Sequence, residues 1–244
     1  MEIPKEEKRK LKTFQLNNKE DFIYYLYQLI CRCYKILKRQ DRYLNKLKVY
    51  IEDVQRKNIL KRAEVIDVPY EDYSDFLALQ GHIETHLLNT VGDLQGSSMS
   101  YYKFRDLIQK KKKKKTLPFE MREIEDDILK ILVGFNRARN FQNHEPESLI
   151  TAEAKMVEEK HLLPIEYNPI QIINYETCTL EFLADMYKSY KELNNGANKV
   201  FESMMLDYEF LLGTKVEIID VIAMMNSKGM AHLEAVKLAS EIQG

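Results

Sequence analysis

The stretch KEDFIYYLYQLICRCYKILKRQDRYLNKLKVYIEDVQRKNILK, residues 19–61, decides the fold class of this 244-residue chain. Its apolar residues recur at helical spacing: Phe22, Leu26, Leu29, Cys33 and Ile36, then Tyr43, Leu47, Tyr50 and Val54. Asn17 and Asn18 precede it as candidate N-caps, with acidic residues in the turn that follows. The pattern predicts one long amphipathic helix over 19–61, or two helices joined near Gln40.

The rest of the chain also follows a helical pattern. With 8 Gly and 6 Pro it contains few turn-forming residues, which argues against an all-β sandwich or barrel. We expect further helices over about 71–93, 101–110, 146–160, 216–226 and 229–242, helical stripes from Ile124 to Phe135 and, from about 176, through Met204, and an extended connection over 162–174. The NNG at 194–196 could divide the helix that starts near 176.

The predicted fold class is therefore all-α, a bundle of long helices with additional C-terminal helices. We assign residues 1–18 to a basic N-terminal arm, 19–175 to a helical domain and 176–244 to helices that complete or flank the bundle. The stripe from Leu183 to Met204 alternates steps of three and four, as in a helix packed along a partner.

Composition also limits where the protein works. The sequence contains no run of 18 apolar residues, so no transmembrane helix is predicted. The first residues are charged and do not form a secretory signal. Three cysteines give no disulfide framework, so we expect a cytoplasmic protein. Residues 1–62 carry 17 Lys and Arg against 8 Asp and Glu, and residues 116–244 carry 12 against 22. This asymmetry favours a polyanion-facing surface or pairing between subunits.

The segment FNRARNFQNHEPES, residues 135–148, holds the candidate chemistry. Arg139 continues the apolar stripe of Ile124, Ile128, Ile131 and Phe135, so it is expected on the packed face of its helix. An unpaired charge there is unfavourable, and a carboxylate, a phosphate or a subunit interface should compensate it. His144 follows where one helix ends and another, opened by Pro146, begins.

Arginine and histidine at such a junction suit RNA cleavage. A histidine near neutral pKa can take a proton from the ribose 2′-hydroxyl or give one to the 5′-leaving oxygen. A guanidinium holds a phosphate through two hydrogen bonds while negative charge builds up. One His144 cannot easily do both proton transfers, but a two-fold dimer would supply two copies. This chemistry requires no metal and no other cofactor.

The run RNFQNH, which contains Arg139, Asn140 and His144, resembles the motif of the HEPN superfamily (higher eukaryotes and prokaryotes nucleotide-binding). Its ribonuclease members are all-α domains with Arg, four to six residues, then His, often with a polar residue after the Arg. The resemblance implies a composite cleft at a homodimer interface and RNA products ending in 2′,3′-cyclic phosphate. It assigns Asn140 to orienting the phosphate or the histidine. It also implies a toxin or anti-phage context, with an antitoxin or inhibitory partner.

Alternatives remain at each of these positions. Arg137 also satisfies the six-residue spacing to His144, and both motif residues could instead cap helix ends beside Glu145 and Glu147. A run of six lysines is expected in a mobile, solvated loop, where it could also steer RNA. The secondary RNA-binding candidates are Arg137, Lys110, Lys111, Lys112, Lys113, Lys114 and Lys115.

Two rival functions belong to other classes. The first is a non-catalytic helical module that binds RNA or a protein partner, a degenerate form of the same superfamily. The second is a metal protein built on His82 and His86, which are four residues apart on one helix face but have no evident third ligand.

Overall fold

The computed structural model describes residues 5, 13–58, 65–96, 98–143, 147–159, 169, 175–221 and 227–243. In chain order the described residues form α1 (Lys19–Asn58), β1 (Asp67–Pro69), α2 (Tyr70–Gly92), α3 (Tyr101–Lys113), α4 (Asp126–Asn143), α5 (Glu147–Glu159), β2 (Thr177–Thr179), α6 (Leu180–Leu212) and α7 (Ser227–Gln243). The predicted all-α class is confirmed, because the strands are only three residues each.

Helix α1 is a single unbroken helix of 40 residues. It begins with a reciprocal cap, in which Asp21 N–H donates to Asn18 Oδ1 at 2.9 Å and Asp21 Oδ2 accepts from the N–H groups of Asn17 and Asn18. Asn18 is thus confirmed as an N-cap, whereas Asn17 contributes only its backbone N–H. Of the two readings of the 19–61 stretch the single helix is correct as far as Asn58, and residues 59–61 lie outside the described residues.

Helices α2 and α6 pack along α1, and α4 packs on α2. One apolar cluster joins the first half of α1 to the later halves of α2 and α6, with Leu26, Leu87 and Val200 among its members. A second cluster joins the later part of α1 to the beginnings of α2 and α6, including Leu47 and Leu183. Both helices therefore run antiparallel to α1. The partner of the Leu183–Met204 stripe is α1 itself.

Strands β1 and β2 pair antiparallel, with Val68 opposite Cys178. The N–H of Leu180 donates to the carbonyl of Ile66 at 2.9 Å, which continues the pairing into α6. This small sheet ties the beginnings of α2 and α6 together. It could not be predicted from the sequence, since three-residue strands show no periodicity and their partners are far apart in the chain.

The lysine run was placed wrongly in part. Helix α3 continues through Lys113, so only Lys114 and Lys115 lie in the turn after it. Lys110 is paired with Asp106 one helical turn earlier, at 2.6 Å, and Lys112 with Glu123. These carboxylates, and the partial negative charge at a helix C-terminus, offset the repulsion that we expected to unwind the run.

Two other predictions near the C-terminus needed correction. Helix α6 is not broken at 194–196, because Asn194 donates to Asp41 on α1 and Gly196 packs beside Phe135. The predicted helix over 216–226 is absent from residues 216–221, which run as irregular chain along α1 with Asp220 bonded to Tyr34. Residues 222–226, most of the basic arm and nearly all of the 162–174 connection lie outside the described residues.

Candidate functional site

Arg139 lies near the C-terminal end of α4, on the same face as the core residues Ile128, Leu132 and Phe135. Only 7% of it is exposed, as its place in the apolar stripe predicted. Its Nη2 lies 3.4 Å from Oδ2 of Asp93, which is itself 6% exposed. A carboxylate is therefore the compensating group among the three that the sequence left open.

Two more hydrogen bonds hold the Arg139 guanidinium. Its Nε donates to Oδ1 of Asn89 at 3.2 Å, and its Nη1 donates to Oδ1 of Asn140 at 3.3 Å. A guanidinium has five N–H groups, so these three bonds leave two without an acceptor in the described part of the chain. The arrangement fixes the orientation of the side chain, and within the described residues two of its N–H groups remain available to a ligand.

The loop after α2 positions Asp93. Its Oδ1 accepts from the Gln95 N–H at 2.9 Å, and its carbonyl accepts from the hydroxyl of Ser100, which also caps α3. Lys103 on α3 donates to the Ser98 carbonyl at 2.9 Å. Burial lowers the pKa of Lys103 below that of an ordinary lysine, and the Asp93 carboxylate opposes that shift. Asp93 is thus held by its own loop and not by Arg139 alone.

Gly92 allows the end of α2 to approach α4 closely. A Cβ at this position would lie 2.8 Å from the backbone N of Asn136 and 2.9 Å from Cβ of Phe135, closer than real Cβ atoms come. At the same contact the side-chain amide of Asn136 donates to the Gly92 carbonyl at 2.7 Å. The next residue is Asp93, so this close contact brings the carboxylate within reach of Arg139.

An open pocket of about 420 Å³ lies over the ion pair. It is lined by Asp93, Leu94, Gln95, Asn136, Arg139 and Asn140. The lining combines guanidinium, amide and carboxylate groups, which can hold a polar ligand by hydrogen bonds. We call it the Arg139 pocket.

The other predicted site residues of this segment are Asn140, Arg137 and His144. Asn140 is exposed and lines the pocket beside Arg139, whereas Arg137 is exposed and does not line it. His144 follows the last residue of α4 directly and lies outside the described residues, as does Pro146. The structure therefore brings Arg139 and Asn140 together and leaves the position of His144 as a prediction.

The lysine run lies on another part of the molecule. None of its residues lines the Arg139 pocket. Lys112 and Lys115 line a different pocket, together with Phe119 and Phe210. The lysines remain RNA-binding candidates, but not as part of the Arg139 pocket.

His82 and His86 stack edge to face, with ring centroids 4.5 Å apart. Burial and the neighbouring His82 lower the pKa of His86 below that of an ordinary histidine. In the described residues, no group of three or more His, Cys, Asp or Glu side chains is gathered where a metal ion could bind. Over the same part of the chain, no helix is both long and apolar enough to cross a membrane.

Sequence reasoning missed the partners of Arg139. Asn89 and Asp93 are four apart at the end of α2, one helical turn, so they can share a ligand on one helix face. That spacing was available in the sequence. The spacing alone could not connect Asn89 and Asp93 with Arg139, however, because nothing in a single sequence indicates which helix end lies against α4.

The assignments of site residues rest on this chain alone, because comparisons with known proteins found no match. No protein-family model matches the chain, and neither the curated proteins nor the solved structures include a significant match to it.

Proposed function

We propose that this protein is a metal-independent endoribonuclease in which Arg139 binds the scissile phosphate and His144 transfers protons. The observation that carries the proposal is the placement of Arg139, whose guanidinium is held by Asn89, Asp93 and Asn140 at the edge of an open pocket. His144 is five residues further along the chain, directly beyond the end of α4. The HEPN-type motif gives both residues a common role.

The reaction would be an internal transesterification. The 2′-oxygen of a ribose attacks the adjacent phosphorus, the bond from phosphorus to the 5′-oxygen breaks, and the products are a 2′,3′-cyclic phosphate and a 5′-hydroxyl. One His144 takes the 2′-hydroxyl proton and another protonates the 5′-oxygen, which requires two copies of the chain in a two-fold dimer. The two remaining N–H groups of Arg139 bind the phosphate oxygens as their charge increases.

Asp93 lowers the affinity of this site for phosphate. Its carboxylate neutralises Arg139 in the free protein, so the pocket binds RNA phosphate less tightly than an unpaired arginine would. In the transition state the phosphorane carries more charge than the ground-state diester, and a fixed guanidinium stabilises it preferentially. Such an activity would suit a toxin or anti-phage effector that an antitoxin keeps inactive.

The test is RNA cleavage by purified protein. Wild type and His144→Ala are incubated with total RNA and transfer RNA in EDTA, and product ends are identified. His232→Ala is the matched control, because His232 is an exposed histidine on α7. The proposal expects cyclic-phosphate ends from wild type and His232→Ala only. Equal cleavage by His144→Ala would reject it.

A second candidate function is a non-catalytic module that binds RNA or a protein partner. The same ion pair favours this function. The charge of Arg139 is already neutralised by Asp93, so the pair could serve only to join α2 to α4. In that case wild type leaves RNA intact at every concentration tested, and His144→Ala binds RNA as well as wild type does.

A further inference from the structure

A second pocket lies at the end of the lysine run, on a part of the molecule that the proposed function does not use. It has a volume of about 440 Å³, within the range of small-molecule sites. Its lining comes from Lys112, Lys115, Leu117, Phe119, Glu120, Met121 and Phe210. It shares no lining residue with the Arg139 pocket. We call it the lysine pocket.

Lys115, which lines this pocket, has an unusual backbone conformation. Its φ is 54°, and it is the one non-glycine residue with a positive φ in the described chain. The N–H groups of Lys115 and Thr116 donate to the carbonyls of Lys112 and Lys111, which is the Schellman ending of a helix. Glycine is the usual residue at this position, because its missing Cβ removes the steric conflict of the left-handed region. The chain instead carries an ammonium group there.

The two lysines of the pocket differ in whether a carboxylate pairs with them. Lys112 is bonded to the carboxylate of Glu123, whereas Lys115 forms no ion pair with any described residue. Lys115 is therefore the lining group best placed to bind an added anion. Glu120 is the one acidic residue among the lining residues. Glu120 can accept a hydrogen bond from a hydroxyl or an amino group of the same ligand.

Two aromatic rings, those of Phe119 and Phe210, also line the pocket. Phe119 is fixed edge to face against Phe22, with ring centroids 4.9 Å apart. Phe210, near the end of α6, is 46% exposed although the pocket lies beside it. An exposed aromatic face next to a lysine is the combination with which proteins stack a nucleobase and hold its phosphate.

A buried network keeps the walls of the pocket together. Arg122 donates from Nε to Oδ1 of Asp207 at 2.5 Å and from Nη2 to the carbonyl of Ser203 at 2.9 Å. Asp207 is fully buried and also accepts from the hydroxyl of Tyr101 at 2.7 Å. These bonds join the segment that carries Phe119 to the helix that carries Phe210, so the pocket is formed before any ligand arrives.

We infer that the lysine pocket binds a nucleotide, with its phosphate on Lys115 and its base stacked on Phe210. The nucleotide can be a free mononucleotide or one unit of a single-stranded RNA, which share this chemistry. Lys112 and Glu120 lie close enough to the pocket to contact the ribose and phosphate. The site does not depend on Arg139 or His144, so it stands or fails separately from the proposed nuclease activity.

Binding is measured with a fluorescein-labelled 2′-O-methyl oligoadenylate of ten nucleotides, which lacks the hydroxyl needed for cleavage. The variants are Lys115→Gly and Phe210→Ala. Their matched controls are Lys114→Gly, which loses the same charge one residue away, and Phe182→Ala, an equally exposed ring on α6 that does not line the pocket. Thermal unfolding of each variant confirms that it is folded.

We expect Lys115→Gly and Phe210→Ala each to weaken binding about tenfold, and the controls less than about twofold. Lys115→Gly should also reduce the slope of log affinity against log salt by about 0.7, the value for one phosphate contact on a single strand. Competition by unlabelled AMP assigns the site to free nucleotides, and competition by unlabelled oligomer alone assigns it to RNA. Equal affinities of variants and controls, or no binding by wild type, would overturn the inference.

Discussion

Arg139 and Asp93, 46 residues apart in the chain, form an ion pair in which both side chains are less than a tenth exposed. The pair joins the end of α4 to the end of α2 below an open pocket. Its two partners differ in how they are held, since Asp93 is fixed by its own loop and Arg139 by Asn89 and Asn140. It supports both the packing of the bundle and the proposed chemistry.

Asp93→Asn should destabilise the fold strongly. The amide keeps the shape of the side chain but leaves Arg139 buried without a counter-charge, which costs about 3 kcal/mol of unfolding free energy. Asp127→Asn is the control, because Asp127 is 87% exposed in its pair with Lys130 and should have little effect. Urea denaturation measures both. Equal midpoints for the two variants would show that the buried pair contributes nothing.

Gly92→Ala should separate α2 from α4. The new methyl group would collide with the backbone of Phe135 and Asn136, so we expect a loss of about 2 kcal/mol. Gly81→Ala, on the same helix with open space around it, should instead gain roughly 0.5–1 kcal/mol through helix propensity. Opposite signs in thermal unfolding are the expected result. A stabilised Gly92→Ala would contradict the close approach.

Lys115→Gly should stabilise the protein by about 1 kcal/mol, because it relieves a side chain from the left-handed region. Lys114→Gly removes the same charge from a residue with φ −83° and should destabilise it slightly. The comparison separates backbone strain from charge repulsion within the lysine run. If both variants gain stability equally, repulsion between lysines is the cause and the conformation of Lys115 is not strained.

Glu84 should make stability depend on pH. Burial raises the pKa of its carboxyl above the ordinary glutamate value. The folded state therefore binds this proton more tightly than the unfolded state does, and the resulting penalty is present above the raised pKa and relieved as pH falls through it. We expect Glu84→Gln to raise the melting temperature at pH 7 and to lose that advantage toward pH 4. A constant difference across this range would assign the effect to packing.

The helices could be predicted from the sequence, and their contacts could not. The stripe of Phe22, Leu26 and Leu29 identified α1, and the stripe through Phe135 placed Arg139 on a buried face before its partner was known. Local periodicity contains that information. The choice of Asp93 as the partner depends on how α2 lies against α4, which is a property of packing over long distances in the chain.

The lysine run shows how a local rule fails. Six adjacent like charges argue for an unfolded loop, but Asp106 and Glu123 lie close enough to compensate Lys110 and Lys112. Asp106 could have been identified by its spacing of four within a helix. Glu123 could not, because the turn at Lys115 that brings its segment back toward α3 requires a conformation unusual for lysine.

The rate at which 2′,3′-cyclic phosphate ends form from RNA in EDTA tests the central claim most directly, with His144→Ala compared against His232→Ala. We expect His144→Ala to lose about 100-fold or more in rate, the contribution of a proton-transferring residue, while His232→Ala keeps the wild-type rate. If both variants release cyclic phosphate at the wild-type rate, Arg139 and His144 are not a ribonuclease site.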